Sequence, residues 1–302
     1  MNTEVFEFSD EQLLRIRNRW NENYVERLIY ALRECSKKWE LLDIQLIPFY
    51  SQNCIFTCFS KTYGDVVLKI GNHSLSNEYN CLCEFHGRNV CKVYEYDKVN
   101  EAILEQRILP GISLLKEKNQ DERIKIFVSL FQRLHIIPEK IDLFMPFSDK
   151  VKQRLEYIKT REDCKIFLSM ADKAEKLFES ISLKYNDKKL LHGDLHQENI
   201  LLNIDGKYSI IDANGAIGDP VFEVSRFIML EFADNLTGGK DNAIKELVNK
   251  LSMCLNIPEE ILLQCLFIDN ILWLCSDLEN GETLDESQLI IDNIAVAAKL
   301  VN

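Results

Sequence analysis

The chain has 302 residues, of which 46% are hydrophobic and 28% charged, so it can bury a sizeable core and has the composition of a globular protein. Its formal net charge of −12 at pH 7 disfavours nucleic acid or an anionic membrane surface as a partner, because both are negatively charged. The first residues are acidic and contain no apolar run, so we expect no signal peptide, and ten cysteines without an export signal predict reduced thiols in a cytoplasm.

Residues 1–42 are predicted to form a helical extension. Ser9 and Gln12 have the spacing of a capping box, and apolar residues follow at helical spacing over 13–20 and 24–32. No residue of this segment suggests a chemical role. We therefore interpret it as a support for the next lobe rather than as a lid over a site.

Residues 43–108 show the short apolar runs of a small sheet with one helix. Lys69 lies inside one of these runs, where an ammonium group is costly to bury without a partner. Such a lysine either pairs with a carboxylate, for which Glu78 on the next predicted helix is a candidate, or snorkels at the edge of the sheet, with Glu78 on the surface. The predicted strands are 44–49, 54–59, 66–70, 91–96 and 102–104.

From residue 109 onward the apolar spacing is mainly helical. The most apolar stretch, 261–275, is interrupted by three polar residues, and we expect it to be too short and too polar to span a bilayer. Asp269, Trp273 and Asp277 share one helical face, where an aromatic ring flanked by carboxylates would suit a cationic sugar. A surface stripe with a half-buried tryptophan is the plainer interpretation of the same spacing. The predicted helices are 121–135, 151–157, 162–181, 222–234, 241–255, 258–277 and 286–300.

The stretch 190–220 carries the strongest chemical signal. Two apolar runs flank the polar loop 192–199, an Asp-Gly turn follows, and a short predicted strand ends at Asp212. Phosphoryl transfer from ATP needs a carboxylate that orients the acceptor hydroxyl and oxygen ligands that hold Mg²⁺ on the phosphates. Asp194 can be that carboxylate, and Asn199 and Asp212 offer the oxygen atoms that Mg²⁺ prefers.

Three residues near this stretch have structural interpretations. Gly193 fits a position where the backbone approaches a neighbour closely or takes a positive φ. Asp219 is predicted to cap a helix that starts at Pro220, and His135 to cap the end of the helix before it.

The loop HGDLHQEN, residues 192–199, resembles the catalytic loop of the aminoglycoside phosphotransferases, in which His-Gly-Asp replaces the His-Arg-Asp of protein kinases. The segment DANGAIGDP, residues 212–220, is similar to that of the streptomycin 6-kinase and hydroxyurea phosphotransferase branch, with Ala-Asn in place of the usual Pro-Lys. The resemblance implies an α+β, two-lobed protein-kinase-like fold. After the extension over 1–42, a small antiparallel sheet lobe would span 43–108, and a larger helical lobe with the catalytic loop and acceptor pocket would span 109–302.

The resemblance also implies a role for each candidate residue. Asp194 would act on the acceptor hydroxyl, and Asn199 and Asp212 would hold Mg²⁺. Lys69, positioned by Glu78, would hold the α- and β-phosphates of ATP.

Further contacts are implied at the edges of the site. The turn between the first two strands has no glycine, so the donors for the phosphates would come from Ser51 and Asn53. The hinge that reads adenine through backbone groups would consist of Glu105, Gln106 and Arg107. His192 is expected to be structural, whereas the candidate substrate contacts are His196, Asp269 and Trp273.

The function implied by the resemblance is ATP- and Mg²⁺-dependent transfer of the γ-phosphoryl group to a hydroxyl of a streptomycin-like aminoglycoside, conferring resistance. A metabolic kinase of the choline, homoserine or sugar type is an open alternative, since the same loop serves those relatives. An inactive nucleotide-binding regulator is another, although Lys69, Asp194 and Asp212 are all present. We expect a cytoplasmic monomer or homodimer with a small-molecule acceptor that could be cationic, and neither nucleic acid nor a membrane as partner.

Overall fold

The computed structural model describes residues 6–48, 53–232 and 240–301. The chain divides into two compact units, Met1–Ile112 with Leu202–Ile211 and Ser113–Leu201 with Asp212–Asn302. The first unit contains a five-stranded antiparallel sheet and the second is mainly helical, so the predicted α+β class is confirmed. The segment Leu202–Ile211 groups with the first unit, whereas the division made from the sequence placed it in the second.

Two helices, a sheet and a third helix build the first unit. Helix α1 begins at the predicted capping box, in which Ser9 and Gln12 exchange side-chain to backbone hydrogen bonds. The strands are antiparallel and lie in the order β1-β2-β3-β5-β4. The elements are α1 (Asp10–Arg19), α2 (Glu22–Lys38), β1 (Leu41–Leu46), β2 (Asn53–Ser60), β3 (Gly64–Gly71), α3 (Ser76–Glu84), β4 (Val93–Asp97) and β5 (Ala102–Gln106).

The two faces of this sheet serve different purposes. On one face, Phe56 and Leu68 join buried residues of α1 and α2 in a single apolar core. Side chains alternate along a strand, so Lys69 points to the other face, where Ile55 and Ile103 are its neighbours on the adjoining strands. The helical extension therefore supports the sheet from the side opposite Lys69.

The second unit is built mainly from helices, and short strands lie before and after the polar loop 192–199. Strands β7 and β10 form an antiparallel pair in this unit. Strands β6, β8 and β9, whose residues 110–112, 202–203 and 208–210 belong to the first unit, form a three-stranded sheet in the order β6-β8-β9. The remaining strands of the chain are β6 (Pro110–Ser113), β7 (Lys189–Leu191), β8 (Ile200–Asn203), β9 (Tyr208–Ile210) and β10 (Ala216–Gly218). The helices are α4 (Gln120–Leu134), α5 (Phe147–Thr160), α6 (Leu168–Ser182), α7 (Val224–Glu231), α8 (Lys240–Leu255), α9 (Glu259–Glu279) and α10 (Gln288–Leu300).

Helix α9 is the central helix of the second unit and packs against α5, α6, α7, α8 and α10. It has 21 residues and a window of mean hydropathy 1.6, so by length and composition it could cross a membrane, and the expectation that this stretch is too short and too polar was wrong. However, 67% of that window is buried inside the protein, as in the core helix of a globular unit. Two polar residues, Asp269 and Asn270, are buried within it.

Two predicted helix ends are confirmed. Asp219 Oδ1 accepts a hydrogen bond from the backbone N–H of Val221 at 3.0 Å, and Pro220 occupies the first helical position. The turn that follows is a 3-10 helix, Pro220–Glu223, which continues directly into α7. His135 is the C-cap of α4.

Candidate active site

The loop 192–199 connects β7 to β8 and depends on a glycine for its shape. Gly193 has φ +82°, and a Cβ atom at this position would lie 2.1 Å from the carbonyl oxygen of Asn214. The neighbouring carbonyl of His192 accepts a hydrogen bond from the Asn214 N–H at 2.6 Å. Both reasons predicted for this glycine are therefore present, and the loop lies directly against the segment that follows Asp212.

Asp194 presents its two carboxylate oxygens to two different side chains, a histidine and an arginine. Oδ2 lies 3.4 Å from Nε2 of His196, and Oδ1 lies 3.7 Å from a guanidinium nitrogen of Arg226. Burial acts to raise the pKa of Asp194, but the hydrogen bond from His196 and the charge of Arg226 outweigh it and hold the pKa well below its usual range. With its side chain still 31% exposed, Asp194 is an ionised carboxylate that can accept a hydrogen bond from a hydroxyl.

The orientation of His196 follows from its backbone contact. Its Nδ1 accepts a hydrogen bond from the Glu198 N–H at 3.3 Å, and a backbone N–H can only donate. The proton of the neutral ring is therefore on Nε2, the nitrogen that faces Asp194. A contact between His196 and substrate stays a prediction.

The two predicted metal ligands carry the oxygen atoms that the ion requires. The amide nitrogen of Asn199 donates to the backbone carbonyl of Asp194 at 3.0 Å, which leaves the amide oxygen as the atom that can face a ligand. Asp212 follows β9 with φ +64°, a conformation that is unusual for a residue other than glycine and that is concentrated at functional sites. One amide oxygen and one carboxylate are hard donors, so this pair fits Mg²⁺.

Glu223, which the sequence interpretation did not single out, anchors the start of the loop. Its carboxylate accepts hydrogen bonds from the backbone N–H of His192, at 3.0 Å, and from that of Gly193. Its Oε2 also lies 2.7 Å from Nε2 of His135, whose Nδ1 lies 3.1 Å from the carbonyl oxygen of Phe131. His135 thus bridges the Glu223 carboxylate and the end of α4.

The electrostatics of this anchor favour the ionised carboxylate. Burial acts to raise the pKa of Glu223, but the hydrogen bond and charge of His135 and the Gly193 N–H outweigh it, so that the pKa is lowered. His135 therefore has a second role beyond the predicted helix cap, as a side-chain partner of the residue that holds the loop.

Gln197 anchors the other end of the loop. Its side chain is buried and donates to the backbone carbonyl of Phe227 at 3.0 Å and to Glu231 at 2.9 Å. The same Glu231 accepts a hydrogen bond from Arg123 of α4 at 3.0 Å. Side chains of α4 and α7 thus hold the loop at this end.

Asp269 and Trp273, the predicted contacts for a cationic sugar, are instead engaged by a cation of the protein itself. Asp269 Oδ2 accepts a hydrogen bond from Ser225 Oγ at 3.0 Å and lies 3.1 Å from Nε of Arg226. The guanidinium carbon of Arg226 lies 5.2 Å from the centroid of the Trp273 ring. Arg226 therefore occupies part of this face, and a contact of Asp269 or Trp273 with substrate stays a prediction.

Lys69 and Glu78 form a buried ion pair in the first unit. The side chain of Lys69 is 3% exposed and its Nζ donates to Oε1 of Glu78, so the pairing expected from the sequence is present. On the same face of the sheet, Cys91 Sγ lies 3.7 Å from Oε2 of Glu105. Burial and the neighbouring Glu105 raise the pKa of Cys91 well above its usual value, so it remains a thiol.

Of the three predicted hinge residues, Glu105 and Gln106 are the last two residues of β5. The N–H of Gln106 donates to the carbonyl of Lys92 at 2.8 Å, and that of Arg107 donates to the carbonyl of Asp65 at 3.3 Å. These two donors are used inside the unit, and the contact of Glu105, Gln106 and Arg107 with adenine through their other backbone groups stays a prediction.

The other predicted phosphate contacts lie at the start of β2. Asn53 is the first residue of that strand and pairs with Gly71 of β3 rather than forming part of a turn. Ser51 lies outside the described residues.

Residues 65–272, about two thirds of the chain, match the family described as aminoglycoside/hydroxyurea antibiotic resistance kinase. The chain belongs to this family. Its members are small-molecule kinases, as the loop 192–199 predicted. No curated protein matches the sequence significantly.

Solved structures share the fold of this kinase at low sequence identity. The choline kinase LicA of Streptococcus pneumoniae is 16% identical, with a TM-score of 0.62 over 88% of this chain and 98% of that chain. An ethanolamine kinase of Plasmodium vivax is 11% identical, with a TM-score of 0.65 over 98% and 96% of the two chains. A thermostable variant of aminoglycoside phosphotransferase APH(4)-Ia, in a ternary complex with ADP and hygromycin B, is 12% identical, with a TM-score of 0.61 over 88% and 97%. These similarities confirm the predicted kinase-like fold.

The residues of this kinase that the sequence interpretation missed share a signal. Glu223, Ser225 and Arg226 interrupt the otherwise apolar stretch 221–230, and all three are largely buried. Buried polar groups are costly unless they have partners, so their presence in an apolar helix indicates a network inside the protein. The sequence could have indicated that network, but not that its partners lie in the loop 192–199.

Proposed function

We propose that this kinase transfers the γ-phosphoryl group of ATP to a hydroxyl of an aminoglycoside antibiotic of the streptomycin type, and that the modification confers resistance. The observation that carries the proposal is the ionised, partly exposed carboxylate of Asp194, held in a loop that Glu223 and Gln197 anchor at its two ends. Phosphoryl transfer asks the protein for position and charge rather than for covalent chemistry, and this arrangement provides both.

In the proposed reaction, Asp194 accepts the hydrogen bond of the acceptor hydroxyl and aims its oxygen at the γ-phosphorus. As the new O–P bond forms, the bond from the γ-phosphorus to the bridging oxygen of the β-phosphate breaks and ADP leaves. The hydroxyl proton passes to Asp194 and then to solvent. Because its pKa is held low, Asp194 is a weak base, and its main contribution is to orient the hydroxyl.

The phosphates of ATP must also be held in place. Lys69, fixed by Glu78, is proposed to bind the α- and β-phosphates. Asn199 and Asp212 would hold Mg²⁺, which supplies neutralisation of the phosphate charge when it is bound.

The nature of the acceptor rests on the family. Its description names aminoglycosides and hydroxyurea, and the APH(4)-Ia complex with hygromycin B has the same fold. A metabolic acceptor such as choline is the competing proposal, because LicA and the Plasmodium vivax ethanolamine kinase also share that fold. A panel of acceptors separates the two.

The test is an assay of ADP release with Mg²⁺ and ATP in the presence of streptomycin, several deoxystreptamine aminoglycosides, hydroxyurea, choline or homoserine. We expect acceptor-dependent turnover with streptomycin, and a loss of roughly 10² to 10⁴ in kcat for Asp194→Asn, the range for a general base. Asp205→Asn, in a turn where the carboxylate accepts from the Lys207 N–H at 3.0 Å, is the matched control and should keep wild-type kcat.

The possible results discriminate between the proposals. Turnover with choline or homoserine alone would replace the antibiotic acceptor with a metabolic one. ATP-dependent stabilisation of the fold without turnover on any acceptor would favour a nucleotide-binding regulator. Wild-type turnover by Asp194→Asn would remove the role given to this carboxylate.

A further inference from the structure

We propose that Arg226 is a positioning residue for Asp194, and that Asp269 and Trp273 hold its guanidinium in place for that purpose. The inference rests on the role of Asp194 in the proposed function. It gives that carboxylate a partner outside the loop 192–199.

The geometry around Arg226 leaves its side chain little freedom. The side chain is 17% exposed, and Nε pairs with Asp269 at 3.1 Å. Asp269 is itself fixed by the hydroxyl of Ser225 at 3.0 Å, and the Trp273 ring lies 5.2 Å from the guanidinium carbon. One edge of the guanidinium thus contacts α9, and the other edge is directed to Asp194.

The contact with Asp194 suits a positioning role because of its length. At 3.7 Å, the approach of Arg226 to Oδ1 is an ion pair that is longer than a hydrogen bond. Oδ1 therefore keeps its capacity to accept a hydrogen bond from an acceptor hydroxyl. Since His196 contacts Oδ2 at 3.4 Å, the two oxygens have partners on different sides, which fixes the rotation of the carboxylate.

The guanidinium can do this because it stays charged in a buried setting. Burial acts to lower the pKa of Arg226, but the carboxylates of Asp269 and Asp194 outweigh it and raise the pKa. Removing the guanidinium would leave Asp269 as a buried carboxylate without its counter-ion and Asp194 without its constraint on Oδ1.

A consequence concerns the acceptor. The ring of Trp273 and the carboxylate of Asp269 both contact a cation that belongs to the protein, the guanidinium of Arg226. Cationic groups of an acceptor must therefore be recognised elsewhere, while the hydroxyl that reaches Asp194 lies beside Arg226.

The test compares Arg226→Met and Arg226→Lys with the substitution of a second buried arginine that also contacts α9. Arg154 of α5 has a side chain that is 18% exposed and also pairs with α9, through Glu279 at 3.6 Å and Ser276 at 3.1 Å. The charge of Arg154 acts on Arg226 and Asp269, but no contact joins Arg154 to Asp194 among the described residues. Arg154→Met therefore removes a buried positive charge from the same surroundings without removing a contact of the Asp194 carboxylate.

We expect Arg226→Met to lower kcat by about 10²-fold, the loss that follows a misplacement of about 1 Å, with the KM for ATP unchanged within about twofold. Arg226→Lys should recover part of that loss, because it restores a positive charge near Oδ1. Arg154→Met should keep kcat within about twofold of wild type, even if it lowers the thermal unfolding temperature as much as Arg226→Met does. A kcat for Arg226→Met within about twofold of wild type, or an equal loss in Arg154→Met, would overturn the proposal.

A second measurement does not depend on turnover. If the wild-type protein phosphorylates no acceptor in the panel, the proposed function fails, and crystal structures of wild type and Arg226→Met still test the positioning. The proposal expects a single carboxylate orientation at Asp194 in wild type and a rotated or divided one in the variant. An identical orientation in both would contradict it. Should Arg226→Met not fold, Asp269→Asn gives the same comparison, because it frees the guanidinium while keeping the shape of its partner.

Discussion

The contact between Gly193 and Asn214 provides a sharp test of how the loop 192–199 is built. Gly193→Ala adds one methyl group at φ +82°, where its Cβ atom would lie 2.1 Å from the Asn214 carbonyl oxygen. The left-handed conformation alone costs about 1–2 kcal/mol for a residue other than glycine. The overlap comes in addition and involves backbone, so it can be relieved only by moving the loop away from the segment after Asp212.

Gly206→Ala is a control with the same backbone conformation. Gly206 has φ +78°, and an added Cβ atom would meet nothing within 4 Å. The substitution should therefore cost only the conformational term of about 1–2 kcal/mol and leave kcat unchanged. The difference between the two variants isolates the contact with Asn214 from the strain of the backbone.

Two measurements carry this comparison. Chemical unfolding should show that Gly193→Ala loses more free energy of unfolding than Gly206→Ala. Steady-state kinetics should show a further loss of about 10²-fold in kcat for Gly193→Ala alone, because a shift of about 1 Å moves Asp194 from its position. Equal unfolding free energies and equal kcat values for the two variants would refute the argument that the loop is held at contact distance.

Three more predictions follow from the ion pairs and thiols. Breaking the buried pair by Lys69→Met should destabilise the protein by roughly 3–5 kcal/mol and raise the KM for ATP. Lys61→Met, which breaks the exposed pair with Glu40, should cost at most about 1 kcal/mol in chemical unfolding. The lowered pKa of Glu223 contributes stability that is present above the unfolded glutamate pKa of about 4.3 and is lost as the pH falls through the folded value, so Glu223→Gln should flatten the acid side of an unfolding-temperature profile. A thiol reagent should label Cys83 and Cys254 rapidly in the native protein and the other eight cysteines only after unfolding, because those eight are buried; rapid labelling of more than two thiols would contradict the burial pattern.

Signals that act over a few residues were readable from the sequence. The capping box of Ser9 and Gln12 and the cap at Asp219 each require only a spacing of three residues or fewer. The pairing of Lys69 with Glu78 was also predictable, because a lysine within an apolar strand demands a counter-ion and the next helix offered one. In each case the partner lies within nine residues along the chain.

The features that were missed depend on partners far along the chain. The spacing of Asp269, Trp273 and Asp277 shows which residues share a helical face, but not that Arg226 of α7 packs on that face. The end of β5 was predicted two residues too early for a similar reason. The polar residues after 104 suggested a strand end, whereas a backbone bond from Gln106 to Lys92 extends β5 further.

The network around the loop also changes what the net charge says about the acceptor. The chain carries −12 overall, and that value seemed compatible with a cationic substrate. Yet the buried carboxylates near the loop already have partners inside the protein: Glu223 has His135, and Asp194 and Asp269 share Arg226. The excess negative charge must therefore lie on other parts of the chain, where solvent and salt screen it. It can attract a cationic molecule from a distance, but it does not supply unpaired carboxylates at these positions, so the acceptor's charge must be determined by measurement with the panel of acceptors.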